Sequence, residues 1–170
     1  MRLRILADLC LCGLSLLSAI PAAAETMKEC YGGIYRLADG KTVDIAPLDD
    51  NTLRWLTFSG ERGQLHPAPN GAWTSTFGWT DRPDGKTVSF TGCGTGRMTF
   101  GKLSGKRIEF DVTNTSFRSS GADLTGRLVL PKGGGKVPVV VLVHGAEHDS
   151  ALDGYPLQRL LPAQGIGVFV

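Results

Sequence analysis

The residues with the clearest capacity for chemistry lie in the segment that begins at His144. His144, Glu147 and His148 have the H-x-x-E-H spacing of a zinc peptidase, in which a helix places both imidazoles on one face. Asp149 and Asp153 follow and could bind a cation, although polar loop residues of this kind are usually solvated. The preceding run is β-branched and predicts a strand rather than a helix, and few residues remain for a third ligand. We therefore predict no metal site.

The strands and helix predicted on either side of this segment would position its side chains. Residues 124–131 alternate in polarity and end at a proline, as an antiparallel strand would. Residues 137–143 form an unbroken apolar run that predicts a central strand buried on both faces. A short helix follows, kinked or shortened by Pro162, and residues 166–170 predict another buried strand. Strand, crossover helix and strand together predict a βαβ unit.

This ordered series resembles the start of the α/β-hydrolase fold, in its branch of exported esterases, acyl hydrolases and prolyl-oligopeptidase-like peptidases. The resemblance implies that backbone N–H groups after the His-Gly turn form part of an oxyanion hole. Carried over, Gly145 marks the turn, Ala146 donates to the developing oxyanion, and His144 is structural rather than the catalytic base. The alternative is an ordinary strand-ending turn at the same residues.

The printed sequence lacks the residues that would complete a serine hydrolase. The family needs a serine on a G-x-S-x-G elbow, followed by an acid and a histidine. Ser150 is the one serine after His144, and no glycines flank it. The chain ends at Val170 in a predicted buried strand, which would leave an open sheet edge. We therefore expect a truncated, inactive fragment of a serine hydrolase that cleaves an ester, thioester or peptide bond, with the catalytic triad absent from this chain.

Residues 1–24 predict a secretory signal peptide. Arg2 and Arg4 give a positive start, residues 9–20 are mostly apolar, and residues 21–24 supply a small-residue cleavage site. The apolar stretch is short for a membrane span. We therefore predict a bacterial periplasmic or secreted protein, with no membrane association after cleavage.

Two cysteines, Cys30 and Cys93, remain after that cleavage. Two thiols in an oxidising compartment more often form a disulfide than a metal or catalytic pair, so we predict a Cys30–Cys93 bond. A reactive free thiol at Cys93 is the alternative, and no pattern of His or Asp residues supports it.

Residues 25–106 predict a small β-rich module, and residues 107–170 the truncated hydrolase start. Alternating segments between turn residues predict strands at 33–37, 41–45, 53–58, 73–77, 87–91, 97–100 and 107–112. Asp-Gly pairs at 39–40 and 84–85 predict hairpin turns. The pentapeptide DGKTV occurs at 39–43 and again at 84–88, which is weak support for a structural repeat.

Aromatic residues are frequent in this module and could form a face that stacks on a sugar. Residues of this size more often fill the core of a small β domain, so we predict a core role. The residues are Trp55, Phe58, Trp73, Phe77, Trp79 and Phe90. The alternative to the hydrolase is a small exported β-rich binding protein without catalysis.

The composition limits the partners. A net charge of +2 over 170 residues is too neutral to indicate nucleic acid or an anionic membrane. We expect a small-molecule or peptide substrate, no nucleic acid and no cofactor. The predicted fold class is α/β, with a small antiparallel β module before the first strands and helix of an incomplete α/β-hydrolase sheet.

Overall fold

The computed structural model describes residues 27–133, 135–143, 152 and 155–170. Within these ranges the strands form a closed eight-stranded barrel and a separate four-stranded sheet. Strand order around the barrel follows the sequence, every neighbouring pair is antiparallel, and the eighth strand closes on the first.

A short helix precedes the barrel, and two short helices lie within the second unit. The barrel unit comprises α1 (Met27–Tyr31), β1 (Gly33–Leu37), β2 (Thr42–Pro47), β3 (Leu53–Thr57), β4 (Arg62–Pro67), β5 (Trp73–Phe77), β6 (Pro83–Phe90), β7 (Arg97–Phe100) and β8 (Leu103–Arg107). The second unit comprises β9 (Phe110–Ser119), β10 (Ala122–Pro131), β11 (Val139–Val141), α2 (Leu157–Leu160), a 3₁₀ helix (Pro162–Gln164) and β12 (Gly167–Phe169). None of the helices in the described part of the chain has the length and hydropathy of a membrane-spanning segment.

Apolar side chains fill the barrel interior. Successive side chains of a strand point to opposite faces, so alternate residues of each strand meet inside. The buried cluster contains Tyr35, Leu37, Val43, Ile45, Leu53, Trp55, Leu65, Trp73, Val88 and Met98. The barrel is therefore a packed core rather than a container for a ligand.

Helix α1 covers one end of the barrel. Tyr31 stacks on Phe90 with ring centroids 4.4 Å apart and meets Trp73 edge-on at 5.9 Å. Cys30 of this helix forms a disulfide with Cys93, which lies in the β6–β7 loop. The predicted Cys30–Cys93 bond is confirmed, and it fastens α1 over the core.

Two barrel strands that the sequence pattern missed, β4 and β8, contain an inward-facing glycine. A Cβ on Gly63 would lie 2.3 Å from the Thr76 carbonyl oxygen and 2.5 Å from Trp55 Nε1. A Cβ on Gly105 would lie 3.1 Å from the Leu37 side chain. Glycine weakens a strand signal in the sequence, but here it makes room for large core side chains.

The two Asp-Gly pairs that were predicted to form hairpin turns have different structures. Gly40 has a φ of +85° between β1 and β2, which confirms the hairpin predicted at 39–40. Gly85 has a φ of +77° but lies inside β6, where the register with β5 shifts. The prediction of a turn at 84–85 is wrong, because the same dipeptide also suits a β-bulge. The two copies of DGKTV therefore have different structures.

The predicted α/β fold class is wrong, and so is the resemblance to an α/β-hydrolase. The apolar run 137–143 forms only β11, whose valines are exposed at the edge of a sheet ordered β11-β12-β10-β9. β11 and β12 are parallel, as a βαβ unit requires, but the other two pairs of this sheet are antiparallel. Helix α2 has four residues, because Pro162 begins a 3₁₀ turn that ends at left-handed Gly165. The chain is predominantly antiparallel β structure.

A buried ion-pair network joins the two units. Asp44, fully buried on β2, accepts hydrogen bonds from Arg159 at 2.5 and 3.0 Å and from Arg54 at 3.3 Å. Ile34 packs beside this network against Leu160 and other apolar residues. Burial lowers the pKa of Arg54, the charge of Arg159 lowers it further, and Asp44 opposes both effects.

Candidate functional site

The residues that the sequence assigned to an oxyanion hole lie outside the described residues. They are His144, Gly145 and Ala146, and the histidine–glutamate–histidine spacing that suggested zinc lies there too. Because the hydrolase resemblance is wrong, the fold supplies no reason to assign an oxyanion hole to these residues. Within the described ranges, no three His, Cys, Asp or Glu side chains cluster as metal ligands would.

The structure divides the predicted aromatic core into two groups. Trp55 and Trp73 are buried, and Phe90 packs against the same cluster, as predicted. The core prediction is wrong for the other three, since Trp79 is 61% exposed, Phe58 54% and Phe77 45%.

The exposed aromatic residues lie at one end of the barrel. Phe58 begins the β3–β4 loop, Phe77 ends β5, and Trp79 lies in the β5–β6 loop. Because β3 and β5 run in the same direction in an antiparallel meander, both loops emerge at the same end. That end is opposite to the one covered by α1. We call Phe58, Phe77 and Trp79 the aromatic end.

Hydrogen bonds fix the loop that carries Trp79. The Thr80 N–H and hydroxyl both donate to the Phe77 carbonyl oxygen, at 2.9 and 2.7 Å. Gly78, in a left-handed conformation, donates to the Arg62 carbonyl oxygen at 3.2 Å and so connects the loop to β4. The residues on both sides of Trp79 are thus fixed by hydrogen bonds, and the Trp79 side chain is exposed.

A cavity of about 250 Å³ lies beside Trp79. Trp79 and Arg62 line it, Gly63 and Trp55 contribute barrel surface, and Pro156 contributes from the second unit. This is slightly below the volume range of typical small-molecule pockets, so it suits one ring rather than a large ligand.

The cavity has a cationic lining. Arg54 and Arg62 both line it, and the described lining includes no carboxylate. Asp44 offsets the charge of Arg54, whereas the Arg62 guanidinium lies 5.9 Å from the Trp79 ring centroid. A cation on an aromatic face keeps its charge available to an anion in the same cavity.

A polar chain supports Trp55 from inside the barrel. The Trp55 indole N–H donates to Ser75 Oγ at 2.8 Å, and the Ser75 hydroxyl donates to Asp84 at 3.0 Å. The Lys86 ammonium lies 3.1 Å from Asp84 and 5.1 Å from the Trp55 ring centroid. Burial acts to raise the pKa of Asp84, but hydrogen bonds from Lys86 and Ser75 and the Lys86 charge outweigh it, so the pKa is lowered. This polar chain of side chains fixes the orientation of Trp55 below the cavity.

The sequence contained one signal that Trp79 is exposed, which an assignment based only on side-chain size overlooks. Trp79 is flanked by Gly78 and Thr80 in a short segment between two predicted strands, which is a turn context. An aromatic side chain in a turn between short strands has less chance of reaching the core than one within a strand.

Comparison with known proteins gives no family for this chain. A scan against family models and searches of curated proteins and solved structures found no match. The β-rich barrel fits the alternative interpretation of the sequence, a small β-rich binding protein, and gives no support to the hydrolase.

Proposed function

We propose that this chain is a small exported binding protein whose aromatic end holds one ring of an acidic carbohydrate. The observation that carries the proposal is Trp79, an exposed tryptophan on a hydrogen-bonded loop, which lines a cavity together with Arg62. A sugar ring has an apolar face of C–H groups that stacks on an indole, and its polar edge remains free for hydrogen bonds. Arg62 favours a carboxylate on that ring, because the guanidinium fork matches a carboxylate.

The disulfide is compatible with an exported protein. We extend this to a periplasmic or extracellular location, where polysaccharides are available as ligands. The sequence-based expectation of enzyme activity stays a prediction, and none of the described contacts adds to it.

Isothermal titration with trigalacturonic acid tests the proposal, with maltotriose as the neutral comparison. Trp79→Ala should weaken binding of the acidic sugar at least tenfold, a change of about 1.4 kcal/mol. Arg62→Gln should reduce the preference for the acidic over the neutral sugar, because it removes the charge and keeps a polar side chain.

The matched control is Phe117→Ala, which removes an aromatic residue that is 46% exposed on β9, in the other unit. It should bind like the unaltered protein. Binding that is equally strong in the Trp79→Ala variant, or no binding of either sugar, would refute the proposal.

A further inference from the structure

Three positively charged side chains lie next to one another on the outside of the barrel, across β1, β8 and β7. Arg36 is opposite Lys106 in the register of β1 and β8, and Lys106 is opposite Arg97 in that of β8 and β7. All three point outward, because neighbours such as Tyr35 and Met98 lie in the interior cluster. Adjacent strands are about 4.8 Å apart, so the row spans roughly 10 Å. We call these three residues the basic row.

Among the residues that the structure describes, no carboxylate forms an ion pair with the basic row. The Arg36 guanidinium donates to the carbonyl oxygens of Ala163 at 2.9 Å and Gly40 at 3.3 Å, and both acceptors are uncharged. Glu109 interacts electrostatically with Lys106, but its ion pair is with Lys132. Like charges directly opposite on neighbouring strands are destabilising, so the row carries a cost that a bound anion would remove.

A groove of about 670 Å³ runs along the basic row. The basic row lines it together with the hydroxyl-bearing residues Thr91, Thr99 and Ser104. Arg107 is a fourth basic residue of the lining, and its guanidinium donates to the Tyr35 hydroxyl and the Cys30 carbonyl oxygen. The described lining contains no carboxylate. The groove therefore combines cations with neutral hydrogen-bond donors, which is the chemistry of a site for a multiply charged oxyanion.

We propose that this groove binds a soluble molecule through a diphosphate group. The Arg97 guanidinium can bind phosphate oxygens as a fork, and the Arg36 guanidinium can add the N–H groups that its two carbonyl partners leave over. The Lys106 ammonium between them can bind both phosphates as a point charge. A single carboxylate could not neutralise all three cations. The site is independent of the aromatic end, because β8 lies four strands from β4 around the closed barrel, on its opposite side.

Titration with inorganic pyrophosphate tests this site. The double variant Arg97→Gln/Lys106→Gln should bind pyrophosphate at least tenfold more weakly than the unaltered protein. Binding to the unaltered protein should weaken as sodium chloride is raised, because the site is open to solvent and its charges are screened. Orthophosphate should bind more weakly than pyrophosphate, since it cannot span the row.

The control is Arg118→Gln, which removes an exposed arginine from β9, where it lies 3.9 Å from Asp123. It should leave pyrophosphate binding unchanged, and matching thermal melts should show that both variants fold. The proposal is overturned by no binding of pyrophosphate, by equal binding to the double variant, or by binding of phosphatidylglycerol vesicles without binding of pyrophosphate.

Discussion

The barrel and the four-stranded sheet are both built from strands with apolar residues, but they bury those residues to different extents. In the barrel, each strand has a neighbour on both sides and contributes inward side chains to one filled interior. In the sheet, β9 and most of the first half of β10 are exposed, and β11 presents three exposed valines. β-branched residues favour strands in both units. In the barrel, closure buries their side chains, whereas in the four-stranded sheet most of them stay exposed. The comparison shows that a strand's apolar character does not by itself determine whether it is buried.

The largest effect should follow from opening the disulfide that fastens α1 to the barrel. Cys30 and Cys93 are 63 residues apart, so Cys30→Ser/Cys93→Ser should lower the free energy of unfolding by roughly 4 kcal/mol in the chain-entropy model. Guanidinium unfolding followed by tryptophan fluorescence reports on the barrel, because all three tryptophans belong to it. A loss below about 1 kcal/mol would contradict the chain-entropy estimate for this loop.

A matched pair of leucines measures the difference between the two units directly. Leu65→Ala, at a fully buried barrel position, should cost about 3 kcal/mol, because it removes apolar contacts and leaves a cavity. Leu124→Ala, at a position on β10 that is 41% exposed, should cost less than about 1 kcal/mol. Equal losses in urea unfolding would mean that the sheet is covered in solution, and the contrast between the units would fail.

Much of the barrel could be predicted from local patterns. The predicted strands 33–37, 73–77 and 97–100 match β1, β5 and β7, because alternation and turn residues are local signals. Closure depends on pairing β1 with β8, a contact that no local pattern encodes. β4 and β8 were missed because Gly63 and Gly105 weaken the strand pattern, although they make room for Trp55 and Leu37.

The second unit and the site were predicted less well, for two physical reasons. The run 137–143 predicted a buried central strand, but its burial depends on neighbours that sequence periodicity does not specify. Trp79 was assigned to the core from its size, whereas its turn context places it in solvent. The basic row combines residues from three strands and becomes visible only when their register is known.

The smallest effect concerns the polar chain inside the barrel. Asp84 has a lowered pKa and a side chain that is 1% exposed, so its charge should stabilise the folded state above its unfolded pKa, near 4. This contribution should disappear as the pH falls through the lower folded-state pKa. The stability advantage of the unaltered protein over Asp84→Asn should therefore be larger at pH 7 than at pH 2, as measured by urea unfolding. An advantage that does not change with pH would contradict the assigned role of the charge.

The most direct test of the account is an NMR titration of the indole N–H signals with trigalacturonic acid. The chain has three tryptophans, of which Trp55 and Trp73 are in the barrel core and Trp79 is exposed at the cavity wall. A sugar bound at the aromatic end should cause a saturable shift of the Trp79 signal that exceeds any shift of Trp55 and leaves the Trp73 signal unchanged. An unchanged Trp79 signal at saturating sugar, or a Trp73 signal that moves as far as that of Trp79, would contradict a ligand held at the aromatic end.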